Sequence, residues 1–218
     1  MQVSLVDKMG SDLTVVNAAR VSFAKESEWD TITPSGKTPG LLQDKDERLI
    51  KYLATHEHWS PFAHCTLQFR IKAPVFVARQ LVKHQVGLVW NKVSRRYVDE
   101  DPEFFIPFLW RERHENKKQG STDTEVEYNI MDLIDQAKEM YDDMINNKNI
   151  APELARMILP QCMMTEWIWS GTLYAFARVC NLRNKSDAQA ETTDITRDIE
   201  HHIKDQFPVS SKYLLDSE

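Results

Sequence analysis

One short segment constrains the fold more than any other, because its apolar and polar residues alternate. Between residues 65 and 72, polar or charged side chains separate the apolar residues Cys65, Leu67, Phe69 and Ile71. A repeat of two residues predicts a half-buried β-strand. Most other apolar residues recur every three or four positions, which is typical of amphipathic helices. The sequence therefore predicts an α+β fold, a mostly helical single domain over residues 1–218 around a small antiparallel or mixed sheet.

Several segments carry the helical pattern. They are residues 13–24, the stretch that begins at Asp44, the stretch after Pro74, a helix opened by a capping-box pattern at Thr124, residues 152–159, residues 162–182 with a break near Gly171, and a last helix capped by Ser186. Residues 25–42 and 98–124 are rich in polar and turn-forming residues, which predicts exposed loops.

Glycine is scarce, and its spacing limits how the chain can bind a nucleotide. The six glycines form neither the G-x-G-x-x-G turn of dinucleotide-binding folds nor the P-loop pattern G-x-x-x-x-G-K-[ST]. A nucleotide must therefore be held by side chains or by helix N-termini.

Other features of the sequence predict a cytoplasmic protein, in the host cytoplasm if the protein is viral. No apolar stretch approaches the roughly 20 residues that span a bilayer. The first residues include Asp7 and lack the apolar core of a secretory signal. The three cysteines, Cys65, Cys162 and Cys180, are odd in number and form no C-x-x-C pair, which indicates free thiols in a reducing compartment.

Basic residues cluster in one segment of an otherwise acidic chain. The net charge is −6, yet residues 79–97 contain Arg79, Lys83, Lys92, Arg95 and Arg96. Such a concentration favours an anionic ligand such as a phosphate, although a solvated basic face would give the same composition. The interleaved side chains favour the ligand, because they can stack on a ring or form hydrogen bonds with it; they are Trp90, Asn91, Ser94 and Tyr97.

The same segment belongs to a series of motifs that occur in one order along the chain. It reads Lys83-His84-Gln85, then eight residues, then Ser94-Arg95-Arg96-Tyr97. The other motifs are Ala19–Phe23, His58–His64, Lys72–Gln80, Ala155–Pro160, and Asn181–Arg183 followed by Ser186 and Ala188–Glu191. Over about residues 9–205 the chain resembles the flavin-dependent thymidylate synthases. It departs from the family pattern at Ala63, Lys83, Gln85 and Lys92, and its spacer before Ser94 is one residue longer.

The resemblance implies an activity and its cofactors. Enzymes of this family convert dUMP to dTMP and take the carbon from methylenetetrahydrofolate. FAD, reduced by NADPH, supplies the hydride. The family also implies a homotetramer whose active sites are shared between subunits, with no nucleic acid and no membrane as partner.

The resemblance further assigns residues to two subsites. The dUMP positions are Gln80, Lys83, Lys92, Val93, Ser94, Arg95, Arg96, Arg156 and Arg183. The flavin positions are His58, Ser60, Lys83, His84, Gln85, Thr172, Leu173, Tyr174 and Arg178. Arg183 is the predicted catalytic residue, because the family places it against the uracil, where a permanent cation stabilises developing negative charge. Ser94 is not predicted to be a nucleophile, because its neighbours in sequence are cations and not a base.

Three other functions are compatible with parts of the sequence. His56, His58 and His64 form a loose cluster, but their spacing matches no common zinc motif, so no metal is predicted. Cys162 has no adjacent histidine and is predicted to be an inert thiol, which argues against a cysteine-dependent enzyme. The basic and aromatic residues of 92–97 and 110–118 leave a single-stranded nucleic-acid-binding module as the alternative, against which the acidic net charge stands.

Overall fold

A four-stranded antiparallel sheet lies at the centre of the fold. The computed structural model describes residues 1–30, 40–98, 100–115 and 120–216. The strands are β1 (Gln2–Met9), β2 (Thr66–Pro74), β3 (Leu88–Lys92) and β6 (Met164–Thr172), in the spatial order β1-β2-β6-β3. The alternating segment at residues 65–72 forms β2, as predicted.

Helices form most of the other regular structure in the described part of the chain. They are α1 (Asp12–Arg20), α2 (Asp44–Thr55), α3 (Ser60–Ala63), α4 (Val75–Leu81), α5 (Met131–Asp142), α6 (Pro152–Ala155), α7 (Leu173–Arg183), α8 (Ala190–Gln206) and α9 (Pro208–Leu214). Two 3₁₀ turns, Val21–Phe23 and Arg156–Ile158, and a π-helical turn, Asp143–Asn147, complete them. The predicted α+β fold with a small antiparallel sheet is confirmed.

Aromatic side chains fill the core between the sheet and α7. Phe69 on β2 pairs with Trp169 on β6, and both side chains are fully buried. Trp90 on β3 stacks on Trp167 with 4.4 Å between ring centroids, and Phe176 meets Phe69 edge-on at 5.0 Å. Such ring pairs stabilise the core beyond the effect of their buried area.

The prediction of a helix over residues 162–182 is wrong for its first half. Residues 164–172 form β6, in which Thr165, Trp167 and Trp169 are buried and the residues between them are not. The helix starts only at Leu173, where the Thr172 hydroxyl accepts a hydrogen bond from the Ala175 N–H at 3.1 Å. Gly171 is required by the close approach of β3, since a Cβ there would lie 2.6 Å from the carbonyl oxygen of Gly87.

The capping-box prediction at Thr124 is also wrong. Two strands, β4 (Trp110–Arg113) and β5 (Ser121–Val126), form a hairpin that extends from the predicted loop into the start of the predicted helix. Thr124 belongs to β5. Helix α5 begins instead at Met131, whose N–H donates to Asn129 Oδ1 at 2.9 Å.

The other boundaries agree with the sequence to different degrees. Helices begin near residue 12, at Asp44, at Val75 and at Pro152, as predicted. The last long helix is capped by Gln189 and not by Ser186. β1 and β3 were not predicted, and residues 31–39 of the predicted loop 25–42 lie outside the described residues. Within the described ranges, no helix is both long and apolar enough to cross a bilayer.

Candidate functional site

The first of two relevant cavities opens between the segment after α4 and helix α7. Its volume is about 460 Å³, and it is lined by Lys83, His84, Gln85, Val86, Leu88, Ala175, Arg178, Val179, Asn181, Leu182 and Lys185. Three of these side chains are cationic at neutral pH, and none of the described lining residues is acidic. The cavity therefore favours an anionic ligand.

Arg183 is bound to His84 beside this cavity. Its Nε donates to His84 Nε2 at 3.0 Å, which joins the end of α7 to the segment after α4. Burial lowers the pKa of His84, and the charges of Arg183 and Arg178 lower it further. The imidazole is therefore neutral near pH 7 and accepts at Nε2, and the terminal nitrogens of Arg183 make no hydrogen bond to any residue that the structure describes. The Arg183 carbonyl in turn accepts from the Thr193 hydroxyl at 2.8 Å.

The second cavity has a volume of about 340 Å³ and lies between β3, β6 and the 3₁₀ turn at Arg156. Lys92, Val93, Arg95 and Arg156, all predicted dUMP positions, line it. Partial burial and the nearby charge of Arg156 lower the pKa of Lys92. Two cations so close that they repel each other indicate a place for an anion.

Four acidic residues also line the second cavity, namely Glu100, Asp101, Glu103 and Glu166, and two of them have cationic partners other than Lys92 and Arg156. Glu166 accepts from Arg70 Nε at 2.8 Å, and Glu103 pairs with Lys72 at 2.5 Å. The two acids therefore do not neutralise Lys92 and Arg156 by a described ion pair.

Ser94 contacts a cation, and among the described residues no base is hydrogen-bonded to its hydroxyl. Its Oγ accepts from the Arg96 backbone N–H at 3.3 Å and from Arg96 Nε at 3.2 Å. Arg96 also lies over the ring of Tyr97, 5.0 Å from its centroid. The side chain of Arg95 turns away and donates to the carbonyl of Glu100. These contacts agree with the view that Ser94 is a donor or acceptor and not a nucleophile.

Gln80 is held at the start of α8 by residues whose roles the sequence analysis missed. The Gln80 amide bonds to Gln189, and its Oε1 accepts from the Thr192 hydroxyl at 3.3 Å. Glu191 and Arg111 extend this contact to the β4–β5 hairpin. The motif Ala188–Glu191 was the available signal, because it was recognised in the sequence but given no function.

Several predicted site residues lie away from these two cavities within the protomer. His58 and Ser60 are exposed near the end of α2, where His58 packs edge-on against Tyr52 at 5.8 Å. Thr172 lines a third cavity, of about 340 Å³, along β1, β2 and β6. Tyr174 is half-buried against the core. No described residue lines both the first and the second cavity.

The structure also bears on the other functions considered. The rings of His56 and His58 are 6.3 Å apart, and no group of three potential metal ligands occurs among the residues the structure describes. Burial raises the pKa of Cys162, which keeps it a thiol. In the alternative nucleic-acid patch, Arg111 is paired with Glu191 at 2.5 Å and Trp110 packs on Tyr128 at 5.6 Å. Residues 116–118 of that patch lie outside the described ranges.

Comparisons with known proteins agree with one another. A family model described as "Thymidylate synthase complementing protein" matches residues 4–209. The chain is 35% identical to a flavin-dependent thymidylate synthase of Thermosipho africanus over 94% of its length and 86% of that protein. It is 33% identical to a flavin-dependent thymidylate synthase of Kosmotoga olearia over 98% of its length and 89% of that protein.

A solved structure is similar across almost the whole fold. It is a UMP/dUMP methylase from Streptomyces cacaoi bound with 5-Br dUMP, and it matches with a TM-score of 0.81 and 25% identity. The match covers 99% of this chain and 97% of that one.

Proposed function

The chain belongs to the family of flavin-dependent thymidylate synthases, and on this premise we propose that it converts dUMP to dTMP. Methylenetetrahydrofolate would donate the carbon, and FAD reduced by NADPH would be the source of the hydride. The observation that carries the proposal is the contact between Arg183 and His84 at the rim of a cavity with cationic walls.

The first cavity suits FAD because its lining complements an anionic diphosphate. Lys83, Arg178 and Lys185 supply positive charge, and Gln85 supplies an amide. Apolar side chains of Val86, Leu88 and Leu182 give surface for a flat ring system. When bound and reduced by NADPH, FAD would supply a hydride, which none of the amino-acid side chains can supply.

Lys92 and Arg156 are proposed to bind the phosphate of dUMP. A phosphate monoester is close to a dianion at neutral pH, and a guanidinium group binds its oxygens in a bidentate manner. The bound anion would also relieve the repulsion that lowers the pKa of Lys92. Ser94 and Arg96 follow Lys92 by two and four positions in the sequence. Their hydroxyl and guanidinium groups would add donors for the phosphate.

Arg183 is proposed to activate the uracil. Its Nε is engaged by His84, which fixes the plane of the guanidinium group and leaves the terminal N–H donors for the base. A permanent cation near O4 stabilises negative charge that develops over N3, C4 and O4, and this charge makes C5 nucleophilic. No covalent bond to the enzyme is needed, in agreement with the surroundings of Ser94 and with the protonated thiol of Cys162.

The assembly is proposed to be a homotetramer of single-domain protomers, with subunits sharing each active site. The separation of the predicted dUMP residues between two cavities supports this, because one protomer does not gather them around one ligand. Two apolar side chains beside the cations of the first cavity are also exposed, since Val86 is 80% and Leu182 is 50% exposed. All three cysteines are free, which supports a reducing, cytoplasmic location.

The proposal is tested by assaying dTMP formation from dUMP, methylenetetrahydrofolate and NADPH, with and without added FAD. We expect product that depends on all three substrates and on flavin. A purified protein with the absorption band of a bound flavin would agree. Flavin-loaded protein that consumes NADPH but never forms dTMP would contradict the proposal.

A further inference from the structure

A chain of side-chain hydrogen bonds runs from the β4–β5 hairpin to Gln80 on α4. Arg111 Nε donates to Ser121 Oγ at 2.8 Å, and Arg111 Nη2 donates to Glu191 Oε1 at 2.5 Å. Gln189 Nε2 donates to the other carboxylate oxygen of Glu191 at 2.9 Å. Gln80 Nε2 donates to Gln189 Oε1. Three separate parts of the chain therefore meet in one polar contact.

The two charged residues, Arg111 and Glu191, determine which group donates and which accepts in each hydrogen bond of this series. An ionised carboxylate only accepts hydrogen bonds, and a guanidinium group only donates them. Burial would raise the pKa of Glu191, but the hydrogen bonds from Arg111, its own backbone and Gln189 outweigh burial and lower it. Glu191 is therefore ionised and requires the NH₂ group of Gln189 to face it. The oxygen of Gln189 then faces Gln80 and requires an N–H from it.

The direction fixes what Gln80 can offer to a ligand. One N–H of its amide is used by Gln189, and one lone pair of its Oε1 is used by Thr192. One N–H and one lone pair have no partner among the described residues, and they cannot exchange positions while the hydrogen bonds keep this direction. Gln80 is only partly buried.

From this geometry we infer that Glu191 is a positioning residue, which acts through Gln189 to set which end of the Gln80 amide faces the bound nucleotide. The inference rests on the proposed function, which places Gln80 at dUMP. In the observed direction, Gln80 keeps an N–H for an acceptor oxygen of the nucleotide. In the reverse direction, it would turn a carbonyl oxygen toward that acceptor and repel it.

The substitution Glu191→Gln tests this, because it reverses every link. Arg111 can only donate, so the oxygen of the new amide faces Arg111 and its NH₂ group faces Gln189. Gln189 then turns its NH₂ group toward Gln80, which must accept. We expect dUMP to bind about ten- to hundredfold more weakly to the flavin-loaded variant, the range for one hydrogen bond replaced by a mismatch.

The double variant Gln189→Glu/Glu191→Gln restores the original direction of the hydrogen bond between position 189 and Gln80. It moves the carboxylate from position 191 to position 189. Position 191 then donates to a carboxylate at position 189, and that carboxylate again accepts from Gln80. We expect most of the dUMP affinity to return. A role of Glu191 that is only structural gives no reason for such a recovery.

Two further variants keep the test decisive. Asp198→Asn removes an exposed charge from the same helix and should leave the dUMP affinity unchanged. Gln189→Met keeps the pair of Arg111 and Glu191, so it tests the inference even if Glu191→Gln does not fold. Without Gln189, the Gln80 amide can adopt either of its two orientations. We expect dUMP to bind about twofold to fivefold more weakly, because only a fraction of the protein has the orientation that binds it.

The readouts are dUMP affinity by calorimetry, flavin content by absorbance and melting temperature for each variant. Weaker binding by Glu191→Gln with recovery in the double variant supports the inference. Unchanged affinity in a folded Glu191→Gln or Gln189→Met protein overturns it, and so does a loss that the double variant does not reverse. Wild-type protein that binds no dUMP would instead overturn the proposed function on which the inference rests.

Discussion

The contact between Arg183 and His84 depends on the protonation state of the imidazole. An imidazolium ion has no acceptor nitrogen, so Arg183 Nε can donate to His84 only while the ring is neutral. Burial and the two neighbouring arginines lower the His84 pKa below its ordinary value of 6.5. The protein therefore maintains this contact at neutral pH and loses it in acid.

The lowered pKa gives a prediction with a defined sign. Above pH 6.5 the ring is neutral in both the folded and the unfolded chain, so it adds no dependence on pH. Below that value the unfolded chain takes up the proton first, so the contribution of His84 to stability falls as the pH falls. Turnover should fall only at lower pH, where the folded chain also takes up the proton and Arg183 loses its partner.

The variant His84→Gln checks this, because its amide oxygen accepts a hydrogen bond but does not titrate. We expect turnover, measured between pH 5 and 8, to lose the acidic decline that is due to this ring. An identical acidic decline in the flavin-loaded variant would assign that decline to another group.

Residue pairs of this kind were only partly accessible from the sequence. His84 and Arg183 are 99 positions apart, and only the family resemblance placed them at one site. The partners of Gln80 were missed because a hydrogen bond between α4 and the start of α8 follows from the packing of the helices, which no local pattern encodes. Basic residues near one another in sequence, such as Lys92 and Arg96, were found without the structure because composition alone identifies them.

Secondary structure elements show where local patterns succeed and where they fail. β2 was predicted because its alternation is uninterrupted. β6 was missed because apolar Met164 and Ile168 lie on its second face and so interrupt the alternation of apolar and polar residues. The hairpin was missed because Thr124 and Glu127 match a helix-capping pattern by chance.

Helix α9 is held in place by an acidic residue at the start of α1. The buried carboxylate of Asp12 accepts from the Val209 N–H at 2.9 Å and from the Ser210 N–H at 2.8 Å. These N–H groups belong to the first turn of α9 and have no partner within that helix. The side chain of Asp12 is thus the cap of a distant helix.

The variant Asp12→Ala should therefore destabilise the protein by about 2–4 kcal/mol, because it leaves two N–H groups without their charged acceptor. Urea unfolding monitored by circular dichroism measures this. Asp135→Ala, an exposed change on α5, is the control and should remain within about 0.5 kcal/mol of the wild type. Equal stability of the two variants would mean that water replaces the carboxylate at no cost.

At the scale of the whole molecule, shared active sites can be tested by mixing inactive variants. Arg183→Ala and Arg156→Ala should each remove most dTMP formation and still retain flavin. If a site takes Arg183 from one subunit and Arg156 from another, co-assembled mixtures contain some sites with both residues. Random mixing would restore up to about a quarter of the wild-type rate.

The mixture is compared with each variant alone, and its composition is measured by native mass spectrometry. Mixed tetramers that remain inactive would mean that each site draws both arginines from one subunit. A mass corresponding to a monomer under assay conditions would contradict the proposed assembly.

The bond from Asp12 to α9 has a consequence for biosynthesis. The two partners are 197 and 198 residues apart, so the segment that forms α1 leaves the ribosome long before the segment that completes its contact. Contacts between such distant parts of a chain slow folding. During translation, Asp12 at the start of α1 therefore lacks its partners until α9 has been synthesised. In this interval the nascent chain is incompletely folded, and a chaperone would be most useful then.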